Sequence, residues 1–84
     1  MCFEARARDL HLVMGAGAHP VRIRVRVDAQ PPGANHGGDL NAAGEGVVSA
    51  ERLYQLLRFR AAGEHIFEIE FLDPGAQVFS FTFG

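Results

Sequence analysis

The last third of the chain, GEHIFEIEFLDPGAQVFSFTFG (residues 63–84), constrains the fold more than any other stretch. Two segments alternate on either side of Asp73, Pro74 and Gly75. In the first, Phe67, Ile69 and Phe71 alternate with Glu68 and Glu70; in the second, Phe79, Phe81 and Phe83 alternate with Ser80 and Thr82. A period of two puts one set of side chains on a buried face and the other in water, which is the pattern of a β-strand. Five of the seven phenylalanines lie here. Each contributes about 1.5–3 kcal/mol when fully buried, so both rows are expected in the core of an all-β domain. If the two strands pair as a hairpin, an odd-length connection such as residues 73–77 is needed to set Phe71 opposite Phe79. If they lie in opposite sheets, the two rows interleave across the core, with the same residues buried.

The N-terminal half continues the strand pattern. Val21, Ile23, Val25 and Val27 are β-branched and share one face, with Arg22, Arg24 and Arg26 on the other. The arginine row reads as a solvated outer face, paired across strands with Glu68 and Glu70. Without interleaved aromatic side chains it makes no case for nucleic acid. Residues 2–14 are also extended, but Phe3, Ala5 and Ala7 are odd-numbered while Leu10, Leu12 and Met14 are even-numbered. One regular strand cannot bury both sets on one face, so a bulge is expected near Arg8 and Asp9.

Residues 28–46, with two prolines and five glycines, form the longest irregular stretch and hold the best set of polar ligand types: Asp28, Asn35, His36, Asp39, Asn41 and Glu45. His36, Asp39 and Asn41 are the candidate ligand residues of this loop. The order Asp39, Asn41, Gly44 resembles the start of a calcium loop, but Ala43 and Ala50 stand where oxygen ligands belong. Turn chemistry explains the composition better, and no metal site is expected. Residues 47–60, VVSAERLYQLLRFR, fit either a short helix capped by Ser49 or a strand.

Composition excludes several classes. The formal charge is −2 and no apolar run is long enough to span a bilayer. The first residues lack the basic and apolar regions of an export signal. The single cysteine, Cys2, allows no internal disulfide and no Cys-x-x-Cys pair. The four histidines are scattered without zinc-ligand spacing. No nucleophile, base and stabiliser come together in the sequence, so no enzymatic activity is expected.

FEIEFLDPGAQVFSFTFG, with ARDLHLVMG before it and RLYQLLR between, resembles the C-terminal domain of DipZ-type thioredoxin-like proteins, thiol–disulfide oxidoreductases linked to cytochrome c biogenesis. The resemblance runs over nearly the whole chain. It implies an antiparallel, jelly-roll-like β-sandwich with residues 47–60 in the sheet, and a single accessory domain over residues 1–84. That domain would be non-catalytic and without a cofactor, orienting a separate redox domain or its client. The resembled jelly roll implies carbohydrate binding as the alternative, with Tyr54 as the only platform that carries a polar handle. The family places such a module outside the cytoplasm, within a longer protein. The resembled module also has tryptophan-bearing strands ahead of ARDLHLVM, so the sandwich is expected to be truncated at its N-terminal strands. Phe3, Leu10, Leu12 and Met14 would then be partly exposed as an interface, either for a thioredoxin-domain protein or for a homodimer.

Overall fold

A computed structural model describes residues 1–84. It contains β1 (Cys2–Ala16), β2 (Val21–Val27), a 3-10 turn (Gly33–Asn35), β3 (Glu45–Val48), β4 (Arg52–Phe71) and β5 (Ala76–Phe83). The domain is all-β, as the alternation implies. The strands form one antiparallel sheet in the order β3-β2-β4-β1-β5. Residues 52–60 are strand, so pairing with β1 overrides the helical spacing of Leu53, Leu56 and Leu57.

The pairing of β1 with β4 organises the sheet. Cys2 to Ala7 pair with Glu68 to Gly63, and Asp9 to Met14 pair with Arg58 to Arg52. Between these blocks β1 passes only Arg8, whereas β4 passes residues 59–62. The parity change expected near Arg8 and Asp9 occurs here: Ala7 and Leu10 are both buried. A second shift between Leu10 and His11 leaves Leu56 unmatched on β4, so that Leu56 and Leu57 both reach the core. The breaks divide the sheet into two halves. In one, β2 and β3 flank the C-terminal part of β4; in the other, β5 flanks the C-terminal part of β1. Val21, Ile23, Val25 and Val48 from the first half join Leu10, Leu12, Met14 and Tyr54 from the second in one 15-residue core. No charged or polar side chain is buried with them.

Three expectations are corrected. Leu10, Leu12 and Met14 are fully buried and Phe3 is half-buried, so the N-terminal strand is not an exposed interface row. Leu10, Leu12 and Met14 lie where β1 is inside the sheet, between β4 and β5, and they pack into the common core. Conversely, Phe79, Phe81 and Phe83 are 53%, 42% and 43% exposed and lie outside the core. β4 and β5 are not a hairpin either; β1 runs between them. β5 is an edge strand, and a register shift between Val13 and Met14 puts Val78, not Phe79, opposite Met14.

The long loop is tied down at both ends. Residues 27–30 form a tight turn with Asp28 and Ala29 at positive φ. The Asp28 carboxylate holds it, accepting from the Ile66 N–H and meeting His65 Nδ1 at 2.8 Å. Further on, Gly37 and Asp39 N–H groups donate to the Leu56 and Gln55 carbonyls, so the loop covers the outer edge of the N-terminal part of β4. Gly44 has φ +83° and its carbonyl accepts from the Val25 N–H at 2.7 Å. A methyl group there would run into the Val25 carbonyl, and the φ disfavours any L side chain.

Replacing Gly44 with Ala is therefore expected to cost roughly 2 kcal/mol or more. Gly17→Ala, at a position with open space and no positive φ, should cost little. Urea unfolding of the two variants checks the contrast.

Candidate functional site: an open phenylalanine edge

The polar residues singled out in the sequence do not converge. Asp39 accepts a two-pronged contact from Arg52 (2.8 and 3.3 Å) and a bond from the Gln55 N–H (2.7 Å). The Arg52 hydrogen bond, with help from Gln55, holds its carboxyl below the usual range. Asn41 closes the turn at residues 41–45, accepting from the Glu45 N–H and donating to its carboxylate. Both residues are structural clasps for the loop. His36, exposed, contacts the Gly37 carbonyl through Nδ1 and lines a shallow polar cleft of about 280 Å³ with Asp9, His11, Gln55 and Arg58. No group of three metal-ligating side chains occurs anywhere in the chain.

Tyr54, the candidate sugar platform, is 1% exposed. Its hydroxyl accepts from the Ser49 N–H (2.9 Å) and donates to the Ala50 carbonyl (2.7 Å), closing the turn between β3 and β4. The Arg52 guanidinium lies 3.9 Å from the ring centroid. A ring packed in this way offers no free face for a ligand to stack on. The phenol at this position ties the core to a turn instead of marking a binding site.

The arginine row is paired as the sequence implies. Arg24 faces Glu70 and Arg26 faces Glu68 in the β2–β4 register, with an Arg24–Glu70 contact of 3.4 Å. Arg22 makes a stronger contact: its backbone N–H and guanidinium both donate to Asp73, which anchors the connection between β4 and β5. The guanidinium hydrogen bond, followed by the backbone one, lowers the Asp73 carboxyl to about 2. This face has little unmatched charge with which to attract a polyanion.

Three exposed phenylalanines, Phe79, Phe81 and Phe83, lie together on β5. Phe81 is opposite Leu12 and Phe83 is opposite Leu10, which places both on the core side of the sheet, but at its edge, where nothing covers them. Phe3 reaches across from the first part of β1. Its ring meets Phe81 at 5.3 Å and Phe83 at 6.0 Å edge-on, and packs on buried Phe67 at 5.5 Å. Edge-to-face contacts of this kind add about 0.5–1.5 kcal/mol each beyond area burial. The result is an ordered aromatic patch with one side in the core and the other in water. Of the expected interface residues, Phe3 alone belongs to it. The sequence missed Phe81 and Phe83 as surface residues, since alternation marks a face and not whether anything covers it.

A family model described as thioredoxin-like C-terminal domain matches residues 1–84. The chain belongs to that family. No curated protein matches it, and no solved structure does.

Two outcomes follow from this arrangement. Tyr54→Ala should lower stability by about 3–5 kcal/mol and Tyr54→Phe by about 1–2 kcal/mol, through the stranded Ser49 and Ala50 groups. Phe81→Ser should cost much less and reduce binding of a hydrophobic dye, which Tyr54→Phe should leave unchanged; chemical denaturation and dye fluorescence separate the two roles. The Asp73 carboxyl is depressed on folding, so its contribution is present above the ordinary value of 3.8 and is lost as pH falls toward about 2. Melting temperature should fall across that window, and less steeply in Asp73→Asn.

Proposed function

We propose that this domain is the non-catalytic accessory module of a DipZ-type thiol–disulfide oxidoreductase. In this reading it orients the redox domain or the protein client, and the disulfide chemistry belongs to a separate thioredoxin-fold domain. The family match over residues 1–84 carries the proposal. The chemistry of the chain supports it. Thiol–disulfide turnover needs a second thiol to resolve the mixed disulfide, and exposed Cys2 is the only cysteine. The patch of Phe3, Phe81 and Phe83 supplies what an orienting module needs: an ordered apolar surface to set against another polypeptide. The carbohydrate alternative is not carried forward, because Tyr54 was its only platform and is buried.

Insulin reduction tests the reading. The isolated chain should give the same rate as dithiothreitol alone. A faster rate that survives Cys2→Ser would overturn the assignment. Fused to a thioredoxin-fold domain, the chain should change KM for a protein disulfide and leave turnover of a small disulfide unaltered. Phe81→Ser with Phe83→Ser should abolish that KM effect.

A further inference from the structure

The sheet has four places where backbone groups could meet another chain, and three are covered or guarded by charge. The side of Cys2–Ala7 away from β4 has no strand partner, but this stretch carries Glu4 and Arg6. β3 is four residues long and begins with Glu45, the short and charged form in which edges are usually protected. The outer edge of the N-terminal part of β4 is covered by residues 36–39 of the loop. The fourth is the outer edge of β5, eight residues long and without a charge or a proline. β5 pairs with β1 on one side. None of the other backbone hydrogen bonds of the chain involves residues 76–83. A long, uncharged, β-prone edge is a template for strand addition.

We infer that β5 pairs antiparallel with β5 of a second copy of this chain, joining two five-stranded sheets into one across a two-fold axis. The absence of charge selects this occupant. An identical strand laid against β5 brings no like charges into opposition, whereas the Arg row of β2 or the Glu row of β4 would do so against itself. Symmetry then fixes the chemistry. A two-fold axis perpendicular to the sheet pairs only positions of the same parity, so phenylalanine falls opposite phenylalanine and hydroxyl opposite hydroxyl. With the axis at Phe81, Ser80 faces the partner's Thr82. With the axis at Thr82, Phe81 faces the partner's Phe83. Aromatic pairs and Ser–Thr pairs are among the favourable cross-strand combinations. The pairing also satisfies the free N–H and C=O groups of the edge. It uses the edge and not the face, so the two patches of Phe3, Phe81 and Phe83 combine into one surface on the same side. An eight-residue strand pair is small beside a standard interface of about 800 Å² per partner, so the dimer is micromolar and in exchange with monomer.

The inference goes beyond the accessory role and fails independently of it, since insulin reduction does not depend on whether the chain is a dimer. Sedimentation equilibrium of the full chain from ~5 to ~200 µM should show a monomer–dimer equilibrium. Thr82→Lys should weaken it at least about tenfold, by setting lysine near its own symmetry mate. Thr82→Glu should do the same, and mixing the two variants should restore a heterodimer. Val47→Lys, at an exposed position on the other edge, should leave it unchanged. A monomer throughout the range would overturn the inference. So would a dimer insensitive to charge at residue 82, or one disrupted equally by Val47→Lys.

Discussion

The rest of the structure depends on the broken register between β1 and β4. A regular ladder of 15 residues would run roughly 50 Å, longer than the 37 Å of the whole domain. The strands must bend, and they do so where β1 spends one residue, Arg8, against four on β4. The break moves the buried parity of β1 from odd to even, so that one strand supplies Ala7 before the bend and Leu10 after it to the same core. It also frees the N-terminal part of β4 from any neighbour on its outer side. The loop at residues 36–39 fills that position with backbone hydrogen bonds of its own.

Much of this could be read from the residues. The parity change at Arg8 and Asp9 was visible as a clash between two hydrophobic sets. The β2 row of valines and isoleucine, and the pairing of its arginines with Glu68 and Glu70, followed from period and charge. What could not be read was which strand lies next to which. Alternation in β5 is as regular as in β4, yet Phe67 is buried and Phe81 is half in water. The difference lies in the sheet order, which depends on contacts distant in sequence. Phe79 shows the limit more sharply: a bulge hands its core position to Val78, and bulges leave no mark in a segment whose alternate residues are all compatible with either face. Asp39 and Asn41 carry the oxygens a ligand site needs, but a loop of this length uses such oxygens first to hold itself together. The sequence of residues 47–60 fits Tyr54 as platform or as core; the side chain is buried, and its hydroxyl partners both lie within five residues.

The distribution of charge bears on function. Every ion pair is at the surface, with at least one partner largely exposed. Exposed pairs contribute about 0–1 kcal/mol each, so the fold is held by its apolar core, and the pairs serve to neutralise the faces they cover. The exception within the polar cleft is Asp9. One of its carboxylate oxygens is buried without a hydrogen-bond partner, and Arg58 reaches it only at 4.0 Å. It lies at the register break, where the chain's geometry takes precedence over satisfying a side chain.

With the polar groups committed to loops and pairs, the aromatic patch is the surface whose composition the fold does not require. Its order matters as much as its exposure. Phe67 is fixed in the core; Phe3 packs on Phe67; Phe81 and Phe83 pack edge-on against Phe3. Each ring is held by the one before it, so the exposed pair has lost much of its side-chain freedom before any partner arrives. Immobilising a flexible side chain on binding costs about 0.5–1.5 kcal/mol. A patch already ordered from the core outward avoids part of that cost. The same chain of contacts links the surface to β1 and β4, the strands whose broken register shapes the domain, so a partner resting on Phe81 and Phe83 is positioned by the most constrained part of the fold.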